Sequence, residues 1–406
     1  MKRLEKILVT LVGTIVAIYA AIVLLFSLPF MQRALANWTA NILSEQLKSK
    51  VEIGSINLGL LNRVIINDIT LYEPSGRQMA SIARTSANIN LISLLSGQID
   101  IGTAQLFGTK ATLYKKTPTS PPNYQFIIDA FAQEEKEEPS KLNLHIGSFI
   151  MRHANITYDI LSEEPHPGSI DVNHLHLHDC GMNVVLRCLT DDSLNVSVKR
   201  LQTKEVNSGL TLKDTRLKLV ANTQQAWLSD LSIALPHSRL DVDSLALDYG
   251  SFSTDSTFRL APTTLRGSIT PCDLAPLSRK LASLTDVLLV SATAEGDEKD
   301  FRVTDFKMDS EDNGLLLHAS VGIQHPLRRQ MRNLQATIHS LHLDKEKMQT
   351  IADAFMPDHN KEELLTAMEE VTYDGDINYT AQGDISSQGN LTTGLGNASY
   401  DLTCDA

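Results

Sequence analysis

Four side chains able to hold a soft metal ion alternate along one short run, His174-x-His176-x-His178-x-Cys180. Imidazole nitrogen and thiolate sulfur are good ligands for zinc or copper. On a strand, alternation brings all four to one face. The spacing works against a shared ion, because side chains two apart on a strand stand nearly 7 Å apart. Only a bend would let them converge. Val172, Leu175 and Leu177 supply the apolar content of the run, so the histidines are expected on its wet side. Cys180 has a second reading as the disulfide partner of Cys188, the one sequence-local pair in a chain that also carries Cys272 and Cys404. Four cysteines are too few for a disulfide scaffold at this length, and the competing reading is small buried or idle thiols.

Other chemistry is hard to find. The chain has no serine nucleophile elbow, phosphate loop, dinucleotide fingerprint or H-E-x-x-H motif. Asp191–Asp192 and Glu163–Glu164 fall in polar, turn-like segments, whereas raising a carboxyl pKa takes burial or a close like charge. The expectation is a protein with no catalytic residue and no cofactor. Net charge is −12, and the first six residues carry Lys2, Arg3 and Lys6 against Glu5, so the remainder is more acidic still. That balance argues against nucleic acid and anionic lipid surfaces as general partners. Lys115–Lys116 and Arg328–Arg329 read as solvated loop charges.

The elements that would position such residues come in two kinds. Residues 7–28 contain no charged side chain and as a helix would be roughly 33 Å long, enough to cross a hydrocarbon core. The basic residues ahead of it place the N-terminus in the cytoplasm and the body on the far side. A cleaved leader is the competing reading, since Ala34 and Ala36 form an A-x-A pattern, but the apolar run is long for a leader and Arg33 interrupts the approach. Residues 1–30 are therefore read as a cytoplasmic tip and anchor. Residues 31–50, with Leu35, Trp38, Ile42, Leu43 and Leu47 at near-helical spacing, read as an amphipathic helix at the membrane surface.

From residue 51 the period is two. Ile56, Leu58 and Leu60 alternate with polar neighbours, as do Leu194, Val196 and Val198 against Asn195 and Ser197. The same holds for Leu315, Leu317, Ala319, Val321 and Ile323, and for Ile377, Tyr379, Ala381, Gly383 and Ile385. This is the pattern of antiparallel sheet with one wet face. Turn chemistry separates the runs at Pro74-Ser75-Gly76, Ser96-Gly97, Asn207-Ser208-Gly209, Asp312-Asn313-Gly314 and Asp374-Gly375. A phase slip between Leu240/Val242 and Leu245/Leu247 implies a bulge or turn. The organisation predicted is a first β segment over 51–133 with a short helix at 124–133, an acidic linker at 134–140, and an extended β body over 141–406. Helical insertions are expected near 273–284 and 344–369, the latter broken at Pro357. About 20–25 strands side by side would extend roughly 100–120 Å. Such a sheet either curls into a trough with an apolar interior or stacks into a sandwich, and periodicity leaves both open.

Several segments resemble a known family. The basic start and single anchor, LGLLNRVIINDITLY (58–72), ANINLISLLSGQIDIGTAQLFGTKATLYK (87–115), NYQFIIDAFAQ (123–133), SGLTLKDTRLKL (208–219) and ITPCDLAPLSRKL (269–281) are similar to the AsmA-like superfamily. Within it they resemble the TamB-like proteins in their Bacteroides-type form. The resemblance covers nearly the whole chain, through apolar spacing rather than fixed chemical residues. It implies a single-pass inner-membrane protein of a Gram-negative bacterium whose periplasmic sheet wraps into an elongated groove. The function implied is phospholipid transport toward the outer membrane, with acyl chains as ligand. The alternative is a scaffold for outer-membrane β-barrel assembly with an Omp85-type partner. Under this resemblance Ile56, Leu58, Leu60, Leu194, Val196, Val198, Leu315, Leu317, Val321, Ile377 and Tyr379 line the groove. Family members are much longer, and this chain stops in mid-pattern at Tyr400–Ala406, which implies an N-terminal portion.

Overall fold

The computed structural model describes residues 28–58, 63–89, 100–132, 145–189, 193–249, 258–326, 332–355 and 368–404, with scattered positions between 10 and 25. Most of the expected span 7–28 lies outside the described residues. The positions described there are helical, and Thr14 Oγ1 donates to the Thr10 carbonyl at 2.8 Å. Among the described residues no helix is long and apolar enough to cross a membrane. Leu60, Ser96-Gly97, the acidic run 134–140 and most of the helix expected after Pro357 also lie outside them.

Strands dominate what is described, and the chain forms two compact units. The first comprises 1–167, 171–186 and 203–207. It opens with helix α1 (Pro29–Leu47), whose proline sits in the first turn, where its missing N–H is no loss. Lys48 ends the helix in the left-handed region at φ 50°, its amide donating to the Glu45 carbonyl. Ala36, Ala40 and Leu47, with Leu35 and Leu43, pack on Val51, Ile53 and Ile56 of β1 (Val51–Leu58). Ala36 is 0% exposed, so the helix axis lies close to the sheet. Trp38 is 63% exposed and Ile42 also points outward, so the five apolar residues expected on one helix face divide between two. The wheel explains this: Ala36, Ala40, Leu43 and Leu47 cluster on the side that meets β1, Leu35 lies at the edge of that cluster, and Ile42 and Trp38 lie beyond it.

β1 begins a ladder continued by β2 (Arg63–Tyr72), β3 (Gln78–Ile89) and β4 (Asp100–Lys115), each antiparallel to the last. β5 (His145–Ile160) is parallel to β4. A parallel neighbour needs a crossover, and the segment carrying α2 (Gln125–Ala132) supplies it, close to the helix expected at 124–133. β6 (His174–Leu189) then pairs antiparallel with β5.

The second unit comprises 168–170, 187–202 and 208–406. β7 (Ser193–Glu205) crosses the boundary. The unit continues as β8 (Thr211–Asn222), β9 (Gln225–Ala234), β10 (Arg239–Tyr249) and β11 (Phe258–Ile269). β12 (Leu288–Asp297), β13 (Asp300–Ser310), β14 (Leu315–Gln324) and β15 (Asn333–Leu343) follow. Helix α3 (Lys345–Phe355) leads to β16 (Val371–Tyr379), β17 (Ile385–Thr393) and β18 (Gly396–Cys404). From β8 to β18 every consecutive pair is antiparallel.

Three expectations change here. The helix expected at 273–284 is two 3-10 turns, Pro271–Leu274 and Arg279–Ser283. Pro276 breaks it, and the Asp273 carboxylate serves the 235–238 turn instead of capping a helix. Asp374-Gly375 is no turn but lies inside β16. A Cβ on Gly375 would stand 2.4 Å from the Tyr373 hydroxyl, so the glycine makes room for a ring rather than a bend. The run Ile377–Ile385 is two strands, because Thr380–Asp384 forms a turn with Gly383 at φ 103°.

The phase slips are structural. Several non-glycine strand residues sit in the left-handed region: Asp68, His153, Asp179, Asp230 and Asp305, at φ between 49° and 55°. Each lies at a gap or shift in a ladder. Asp230 falls opposite the slip between Val242 and Leu245, and Asp305 at the register shift between Val303 and Phe306. Aspartate tolerates this conformation better than most L-residues; β-branched side chains do not. Asp230→Val is therefore expected to lower unfolding stability by about 1–2 kcal/mol relative to Asp230→Asn, measured by chemical denaturation of the two variants. Its exposed pairing with Lys218 contributes little to that difference.

Candidate functional site

Residues paired across antiparallel strands point to the same face of the sheet. In the second unit this produces long apolar rows. One runs Ile233–Leu240–Gly267–Val290–Met308–Leu317–Leu341–Tyr373–Leu391–Ala398, one residue from each of ten strands. At about 4.8 Å per strand it measures roughly 43 Å along the sheet. Another runs Leu247–Leu260–Gly296–Phe301–Ile323–Leu334–Tyr379–Ile385–Cys404. Between them lies Val303–Val321–Ala336–Ile377. The candidates Leu317, Val321, Ile377 and Tyr379 thus fall on one face, and Leu315 joins it through Leu343 and Val371.

The first unit has its own rows, among them Val64–Ala87–Ala104–Phe149–Val184 and Ile56–Ile66–Thr85–Leu106–Met151–Met182. Ile56 is covered by α1 and belongs to a packed core, not to an open lining.

Leu194, Val196 and Val198 are half-buried, but Ser197 on the opposite face is only 3% exposed, and its hydroxyl has no hydrogen-bond partner. The face expected to be wet is therefore covered at this point. A depression of about 760 Å³ there is lined by Lys199, Arg216, Lys218, Asp230, Arg239 and Asp241, whose long side chains overlie the serine. Four of these charges pair as Lys218–Asp230 and Arg239–Asp241, and Arg216 pairs with Asp214.

The apolar rows are covered only in part: Val290, Leu315 and Val371 are buried. Leu317, Val321, Ile323 and Ile377 keep part of their surface, and Tyr379 is exposed. No large side chain among the described residues falls below 2% exposure. A stacked sandwich would bury its inner faces completely. An open apolar face can hold flexible apolar ligand without any particular polar contact.

The histidine run is partitioned by a bulge rather than gathered on one ion. His174 Nδ1 donates to Asp159 Oδ1 at 2.9 Å, its Nε2 to the Glu163 carbonyl at 3.1 Å, and His176 Nε2 to the same Asp159 oxygen at 3.0 Å. His178 is exposed, and Cys180 lies beyond Asp179, where it meets Thr203 Oγ1 at 2.8 Å. The register shift at Ala154 breaks the alternation that would have aligned the four. The disulfide is corrected outright: Cys180 and Cys188 are free. They lie eight residues apart on β6, so about 26 Å separates them along the strand, far beyond disulfide reach. The network missed in the sequence is Glu73, which accepts from Tyr114, Asn123 and Ser75 and closes the end of the β2–β4 ladder. No family model, curated protein or solved structure matches the chain.

The surroundings of His174 favour its protonated form. The hydrogen bond to Asp159 raises its pKa, burial opposes this in part, and the Glu163 carbonyl adds to the rise. Because the folded value lies above the ordinary one near 6.5, its contribution is fully present below about pH 6.5 and is lost as pH rises through the raised value. Amide exchange in β5 and β6, corrected for its intrinsic pH dependence, should show lower protection at about pH 8.5 than at about 5.5. His174→Gln should flatten that difference.

Proposed function

We propose that this chain is a non-catalytic carrier of apolar ligands, a TamB-like member of the AsmA-like superfamily. Anchored in the inner membrane by residues 7–28, it shelters phospholipid acyl chains on its periplasmic sheet face during transfer toward the outer membrane. The carrying observation is the set of apolar rows, one of them crossing ten strands, on which Val290, Leu315 and Val371 are buried while Leu317, Val321 and Ile377 keep part of their surface and Tyr379 is exposed. Each methylene removed from water contributes about 0.8 kcal/mol, so a row of aliphatic and aromatic side chains binds acyl chains through contact area alone. Successive strands repeat similar side chains, so no step along the row is much deeper than the next, and a bound chain can slide. The net acidity of the body works against adsorption of the same sheet to anionic headgroups.

A second reading is a scaffold for outer-membrane β-barrel assembly with an Omp85-type partner, which would hold polypeptide by strand addition. Photocrosslinking separates the two. With a benzophenone amino acid at Leu317 or Val321 of the full chain in cells, irradiation should yield phospholipid adducts, and the same group at Ser320 on the opposite face should yield few. Adducts to unfolded outer-membrane polypeptide at Val321, with no lipid, would sink the carrier reading in favour of the scaffold.

A further inference from the structure

Three ligand-bearing side chains that the apolar face does not involve converge where the β9–β10 turn meets the segment after β11. His237 stands in the 235–238 turn, and Cys272 and Asp273 on the Pro271–Leu274 helix. One ligand atom from each lies within 4.8 Å of the other two, and among the described residues this is the group of such donors that comes together. The geometry points to a site for a single zinc ion, held by the His237 imidazole, the Cys272 thiolate and the Asp273 carboxylate, with a fourth position open to water or a further ligand.

One nitrogen, one sulfur and one oxygen donor form a set that zinc accepts, with bonds of about 2.0–2.3 Å. Around a tetrahedral ion such bonds put ligand atoms about 3.3–3.8 Å apart. His237 Nδ1 and Asp273 Oδ1 already stand 3.0 Å apart, so zinc entry asks for small side-chain adjustments.

The ligands are also held in place from behind. The His237 amide and Ser238 Oγ both donate to Asp273 Oδ2 at 2.7 Å, which leaves Oδ1 directed at the imidazole. Ser238 Oγ accepts the Thr270 amide at 2.9 Å, and Thr270 Oγ1 donates to the His237 carbonyl at 3.1 Å, so the two segments are stitched together. The Cys272 amide donates to the Leu284 carbonyl at 2.9 Å. Pro236 and Pro271 fix the backbone on each side. Outer hydrogen bonds of this kind orient metal ligands and sustain their basicity. The Asp273 side chain is 4% exposed and that of His237 65%, which makes a fixed, charged floor with a solvent-facing entrance. Burial pushes Asp273 up, but the donations from Ser238 and His237 outweigh it and keep the carboxylate ionised. In the His174–Cys180 run, by contrast, His178 is exposed and the Cys180 thiol meets Thr203, and its four donors do not converge.

Metal binding tests this independently of the lipid reading. The full chain in detergent micelles, stripped with chelator, is titrated with zinc alone and then with cobalt as a spectroscopic probe. One zinc per chain is expected, with a thiolate-to-cobalt charge-transfer band. Cys272→Ser should abolish the band, and His237→Ala should weaken zinc binding at least tenfold, while His178→Ala leaves both unchanged. His237→Ala alters an exposed side chain and decides the matter if Cys272→Ser fails to fold. Absence of stoichiometric zinc in the folded protein, or zinc affinity undiminished in His237→Ala, overturns the site.

Discussion

Every apolar row in the sheet depends on one constraint: a strand that slips by a single residue turns all its following side chains to the other face. Over a ladder running from β8 to β18, uncorrected slips would scatter leucines and aspartates across both faces. The chain meets the constraint with irregular positions placed where a strand changes phase, so that the residues on either side come back into step with their neighbours. Asp230 in β9 faces the slip of β10, and Asp305 in β13 absorbs the residue that moves Phe301 and Val303 into step with Phe306 and Met308. β15 does the same between Ile338 and Leu341, opposite a regular β16. The left-handed aspartates are therefore devices that keep one face apolar, and their strain is offset by the burial they preserve.

Elements beside the sheet serve its ends and its thin places. Where Gly375 and Gly389 leave a gap in the side-chain layer, the rings of Tyr373 and Tyr400 stack at 6.3 Å and join hydroxyls at 2.7 Å above it. α3 is tied down by Lys347, whose amine reaches Asp286 and Asp312 at 2.8 and 2.7 Å. Burial favours the neutral amine there, but the two carboxylates outweigh it and hold the charge. α1 covers the apolar side of β1.

The β class, the alternation and the identity of the apolar positions were legible in the sequence because strand period is a local property. Leu315–Ile323 and the short helix near 124–133 were readable for that reason. What was not legible depended on neighbours distant in sequence. Asp374-Gly375 looks like a turn until Tyr373 and Gly389 are known to need the space. Asp273 looks like a helix cap until His237 and Ser238 arrive from another hairpin. The four-residue histidine run looks aligned until Asp179 breaks its phase, and the Cys180–Cys188 pair looks local although an extended strand holds the two apart. Trp38 and Leu35 share a period but face opposite surroundings, which only the packing of α1 on β1 decides.

The account rests on the apolar face being an open, lipid-bearing surface rather than a core. Its most direct test is mass spectrometry of phospholipid retained per chain by the protein and by a Leu317→Asp, Val321→Asp variant, with circular dichroism confirming strand content in both. A buried, unpaired carboxylate is costly in a dry acyl-lined surface. The account predicts stoichiometric phospholipid in the parent protein and marked loss in a variant that still folds. Equal lipid in both, or a parent protein folded and empty, would contradict it.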